Sequence, residues 1–203
     1  TNEPVWIGRR SASYQSGTRH RWDHTSLAKE TGGENVLVGG KQNRIVGNAG
    51  YSTLVGGLQN KITSQNSSFI GGGDYNQIIS SNRSTIVGGT TNRIYSTQSY
   101  NNIVGGIGNQ IGHSSVGNDQ AGSSIVGGSG NKIYWRPNEL SFKTYNFVGG
   151  GNSNLLTGTT SSTILGGDLN KMYLLDRSVI GGGQKNYMTG ATDSVIGGGA
   201  NNE

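Results

Sequence analysis

One short unit recurs ten times in this chain of 203 residues, and it leaves few folds open. Each copy reads as two aliphatic residues, two glycines, then an asparagine, a variable residue and another apolar one. The aliphatic pairs are Leu37-Val38, Leu54-Val55, Phe69-Ile70, Ile86-Val87, Ile103-Val104, Ile125-Val126, Phe147-Val148, Ile164-Leu165, Val179-Ile180 and Val195-Ile196. The asparagines are Asn43, Asn60, Asn76, Asn92, Asn109, Asn131, Asn154, Asn170, Asn186 and Asn202. In four copies a third glycine (Gly73, Gly151, Gly183, Gly199) moves the asparagine one residue further on. The second aliphatics lie 17, 15, 17, 17, 22, 22, 17, 15 and 16 residues apart.

Such a period is too short for a helix pair or a propeller blade. It fits one coil of a solenoid in which each repeat adds a rung of parallel strand. No segment sustains a helical apolar pattern, and a glycine pair interrupts every repeat. Ile and Val suit a pleated surface, and the glycines mark corners. The sequence therefore predicts an all-β chain, a parallel β-solenoid (β-roll or β-helix) of about ten to eleven coils. The asparagines follow the corners. Asn tolerates the left-handed region and bonds local backbone, so stacked coils align these side chains into a structural ladder.

Adjacent side chains on a strand face opposite ways. If the first aliphatic of each pair points inward, the second forms an outer column. That column is Val38, Val55, Ile70, Val87, Val104, Val126, Val148, Leu165, Ile180 and Ile196. Over ten rungs it makes an apolar stripe ~45–50 Å long, more than monomers usually expose. The expectation is that it packs against other copies of the chain. The residue before each pair is small and polar (Thr53, Ser68, Thr85 and onward), Val36 excepted.

Units such as Tyr51-Ser52-Thr53-Leu54-Val55-Gly56-Gly57-Leu58-Gln59-Asn60 and Ser178-Val179-Ile180-Gly181-Gly182-Gly183 resemble the head repeats of trimeric autotransporter adhesins and related Gly/Asn repeats of phage tail fibres. The likeness spans about residues 35 to 202. It implies a left-handed β-roll, a homotrimer and a role in attachment. The units here are longer than the usual adhesin repeat and centred on Asn.

Function on a regular scaffold tends to sit where the pattern breaks. Inserts fall at about 112–122 and 134–145. The second contains Tyr134, Trp135, Arg136, Phe142, Lys143 and Tyr145, candidates for contact with a glycan or protein receptor. Packing onto the solenoid or between subunits is the alternative. Residues 1–34 form a separate basic and aromatic segment, a cap or docking piece ahead of the repeat domain at 35–203. A short helix over Thr25 to Glu30 fits there. Arg44, Lys61, Arg93, Lys132 and Lys171 follow the ladder asparagines, with Gln77 and Gln110 between them. They read as a solvent-facing column, or as a basic stripe for an acidic polysaccharide.

Other chemistry finds no pattern. There is no cysteine, and His20 with His24 lacks a third metal ligand. Neither a phosphate loop nor a nucleophile elbow occurs, and no cofactor or catalytic residue is expected. A net charge of +5 without a motif does not make a nucleic-acid site. No run of about 20 apolar residues spans a membrane as a helix. The reading is a non-enzymatic fibre or adhesin segment, outside a cell or on a virion. Two alternatives stay open. One is a head-to-tail filament, since Gly197-Gly198-Gly199-Ala200-Asn201-Asn202 looks uncapped. The other is a tailspike that degrades polysaccharide with two carboxylates.

Overall fold

The computed structural model describes residues 18–19, 27–30, 35–47, 50–63, 66–95, 99–112, 121–134, 145–190 and 192–203. Among these the chain is all-β, a solenoid of stacked parallel strands. Its strands, β1 to β21 in chain order, run from β1 (Thr18–Arg19) to β21 (Val195–Ile196). Odd-numbered strands form one parallel sheet of eleven and even-numbered strands a second of ten. Each coil gives one strand to each sheet, except the last, which gives β21 alone. Single parallel bridges join the coils at the corners between the sheets, as in the line Asp74, Thr90, Ile107 and Ser129. No helix among the described residues is long and apolar enough to cross a membrane. Nor is Leu27–Glu30 helical: it is β2, paired in parallel with β4 (Arg44–Gly47), and β1 pairs with β3 (Asn35–Val38). Both sheets thus extend into the N-terminal segment.

The core is two facing columns. The first sheet contributes Leu37, Leu54, Ile70, Ile86, Ile103, Ile125, Val148, Ile164 and Ile180, and the second contributes Ile45 through Ile133 to Leu156 and Met172, all fully buried. The first column corrects the expected phase of the repeat. Ile70, Val148 and Ile180 were assigned to the outer, oligomer-packing column, yet they lie inside, and Ile196 packs against the core as well. Strand pairing explains why. Leu54 stands opposite Ile70, Ile125 opposite Val148, and Ile164 opposite Ile180. Counted from the buried residue, the ladder asparagine always follows six positions later, as in Ile70 to Asn76 and Ile86 to Asn92. The third glycine is therefore no insertion. Gly71, Gly149, Gly181 and Gly197 replace the outer aliphatic, and Phe69, Phe147, Val179 and Val195 replace the small polar residue before it.

A second correction concerns the corners. The ladder asparagines from Asn43 to Asn202 are not left-handed. The residue before each one is, for example Gln42, Tyr75, Thr91 and Leu169, with φ between 57° and 58°. The turn spares the asparagine, whose side chain goes into the interior.

Candidate functional site

The interior is a hydrogen-bonded stack. Asn92 shows the repeating geometry. Its Nδ2 donates to the Gly88 carbonyl at 3.0 Å and to the Gly106 carbonyl of the next coil at 2.9 Å. Its Oδ1 accepts from the Asn109 backbone N–H at 3.0 Å. Asn43, Asn60, Asn76, Asn109, Asn131, Asn154, Asn170 and Asn186 make the equivalent bonds, and Asn202 ends the series on Gly198 and Asn186. Each buried amide thus satisfies backbone groups on its own coil and on the next, which a buried polar group needs. The second glycine of each pair makes room for this. A Cβ on Gly89 would run into the carbonyl oxygen of Gly106 and the Asn92 amide.

Sequence reasoning missed a second ladder. Asn35, Ser52, Ser68, Ser84, Asn101, Ser123, Asn146, Ser162 and Ser178 are buried. The Ser68 hydroxyl donates to the Ser81 carbonyl at 2.9 Å. The side-chain oxygens of the others accept backbone N–H groups of the following coil, as in Ser123 N–H to Asn101 Oδ1 at 3.1 Å and Ser162 N–H to Asn146 Oδ1 at 3.0 Å. The signal was present in the sequence: each member lies eight residues before a ladder asparagine.

Two outer faces remain. The first sheet carries an apolar stripe, with Val87 50% and Leu165 56% exposed. Val38, Val55, Val104 and Val126 belong to it as expected by position. At two of the four glycines that interrupt the stripe, a neighbour fills in. The ring of Phe69 lies against Gly71 and that of Phe147 against Gly149, close enough to meet an added Cβ. At Gly181 the nearest atoms are the backbone of Gly197, and at Gly197 nothing lies within 4 Å, so four members differ from those expected and two of the four gaps are covered by a ring.

The second sheet carries the cations. Arg44, Lys61, Gln77, Arg93, Gln110, Lys132, Leu155, Lys171 and Tyr187 stand in one outward register. Beside them runs a column that includes Tyr95, Tyr134 and Tyr173. The Lys132 Nζ lies 5.9 Å from the centre of the Tyr134 ring, within cation–π range. The Tyr134 hydroxyl donates to Gln110 Oε1 at 3.3 Å, and burial pushes its pKa up. The Tyr173 and Tyr187 rings are 5.5 Å apart.

Of the proposed receptor contacts, Tyr134 ends β14 (Lys132–Tyr134) on this face. Tyr145 is 63% exposed at the corner before Asn146, its ring against Gly122. The two belong to different columns, so the structure does not gather them into one patch. Trp135, Arg136, Phe142 and Lys143 lie outside the described residues. Among the described residues no three His, Cys, Asp or Glu side chains group as metal ligands.

The corners hold two acidic ties between coils. Arg177 makes a two-pronged bond to Asp193, at 2.6 and 2.8 Å. Asp168 accepts from Gln184 at 3.1 Å and Asn152 at 2.8 Å. These donors hold both carboxyls below the ordinary 3.8, Gln184 then Asn152 for Asp168 and Arg177 for Asp193. A lowered folded pKa gives stability that is present above the unfolded value and lost as pH falls through the folded one. Carboxyl NMR titration should place both midpoints below 3.8, and Arg177→Gln should move only Asp193 upward. Unchanged behaviour of Asp193 in that variant would refute the tie.

No protein-family model and no curated protein matches the chain, so the stacked coils and their two outer faces carry the functional reading.

Proposed function

We propose that the chain is a non-enzymatic segment of an extracellular or virion fibre that serves attachment to a cell surface. In this reading three copies, each a left-handed roll of about ten to eleven coils, pack along the apolar stripe of the first sheet. The observation that carries it is the exchange at Gly71 and Gly149. Where the outer aliphatic is lost, a Phe one residue earlier than the buried position covers the gap. A solenoid standing alone has no need to cover those two gaps with an aromatic ring. A surface that packs against another copy does.

Light scattering over a range of concentrations tests this. The expected mass is that of three chains and does not vary. Changing Val87 and Val104 to Asp should release monomers that keep the β signal in circular dichroism, because both side chains point outward. A wild-type chain that stays monomeric would sink the reading. A mass that climbs with concentration would replace it with the head-to-tail filament.

A further inference from the structure

The outer face of the second sheet has a period of two coils. From Lys61 onward, cations occupy alternate positions of the register: Lys61, Arg93, Lys132 and Lys171, with Gln77, Gln110 and Leu155 between them. Three of these cations are followed, two residues on and on the same outward face, by a tyrosine: Tyr95, Tyr134 and Tyr173. The intervening coils have Ile79, Gly112 and Thr157 there. Arg93, Lys132 and Lys171 are exposed and the tyrosines half-buried. The paired positions of this sheet from Arg44 to Thr189 include no Asp or Glu.

Coils in a parallel stack are about 4.8 Å apart, so the cation–tyrosine pairs recur about every 9.6 Å. That is close to the length of two linked sugar rings in an extended chain. We infer that this face binds a linear anionic polysaccharide bearing one acidic group per disaccharide. The acidic groups meet Arg93, Lys132 and Lys171, and alternate sugar rings lie on Tyr95, Tyr134 and Tyr173. A tyrosine offers a flat apolar ring with a polar tip, which suits a sugar face. A duplex nucleic acid, with its denser charge and helical path, does not follow one straight row of cations at this spacing. The inference rests on the attachment reading above and names its ligand class.

Hyaluronan carries one carboxylate per disaccharide and serves as the probe. The full chain should bind it, and binding should weaken steeply with added salt. Arg93→Gln, Lys132→Gln and Lys171→Gln together should lower affinity about tenfold or more, with the thermal melt unchanged because the side chains are outside. Tyr95→Leu with Tyr173→Leu should weaken binding while leaving the charge intact. Absence of binding, or binding that ignores both sets of substitutions, overturns the inference. So does equal or tighter binding to polygalacturonate, which has a carboxylate on every sugar, or to double-stranded DNA. A trimer that ignores hyaluronan sinks this inference alone. A monomer that binds it sinks the packing arrangement alone.

Discussion

Asn92→Ala is expected to destabilise the solenoid by about 2–6 kcal/mol. The substitution leaves the Gly88 carbonyl and the N–H of Asn109 without their partner, and removes one of two donors from the Gly106 carbonyl, which keeps the N–H of Thr90. Asn92 is fully buried in the middle of the stack, and each stranded buried group costs about 1–3 kcal/mol. The loss falls on two coils at once, since one of the two carbonyls and the N–H belong to the next coil. Stability in such arrays comes from each repeat and its neighbour contacts. Denaturant unfolding followed by circular dichroism reads the change. Asn92→Asp sharpens the test. It keeps the acceptor but turns a carboxylate oxygen toward two carbonyls. Its folded pKa then lies above the unfolded value of about 3.9. The variant should therefore be weakest at neutral pH and regain stability as pH falls toward that value, opposite in sign to the contributions of Asp168 and Asp193. An alanine variant that unfolds like the wild type would show that the ladder contributes nothing.

The second large effect separates two adjacent glycines. Gly89 has φ +89° and lies against the backbone of the next coil. A methyl group there meets the Gly106 oxygen, and backbone on both sides cannot move aside without breaking the register. Gly89→Ala should cost about 3 kcal/mol or more, combining backbone strain with overpacking. Gly88 has open space where its Cβ would stand and no left-handed φ. Gly88→Ala should change stability by no more than about 1 kcal/mol and can raise it by restricting the unfolded chain. Equal losses in the two variants would mean that the coils do not approach as described.

Much of this architecture is legible in the sequence. The parallel strands and the Asn ladder follow from a repeat too short for anything but a coil. The phase of the repeat was harder to read, for a definite reason. Aligning the copies on their aliphatic pairs treats Phe69-Ile70 as equivalent to Ile86-Val87. Burial, though, depends on distance from the asparagine, and that anchor puts Ile70 level with Ile86. Hydropathy does not separate an apolar residue that lines the core from one that replaces a missing neighbour outside. The serine ladder was hidden because serine is common in outer loops as well. The left-handed residues were invisible since Gln42, Tyr75, Thr91 and Leu169 share no chemistry; the fold imposes that conformation on whatever residue comes before the asparagine. The alternating tyrosines stand in plain sequence. Their common face emerges only once the inserts are removed from the count.

Those inserts have a further consequence. The bonds from Asn131 N–H to Asn109 Oδ1 and from Asn154 N–H to Asn131 Oδ1 are both 3.0 Å, the same as in coils without an insert. Their partners are nevertheless 22 and 23 residues apart instead of 16 or 17. The stack keeps the same bond whatever the number of residues between its partners in sequence. The number of residues between two rungs is thus a free variable of the sequence, and the register of the rungs is not.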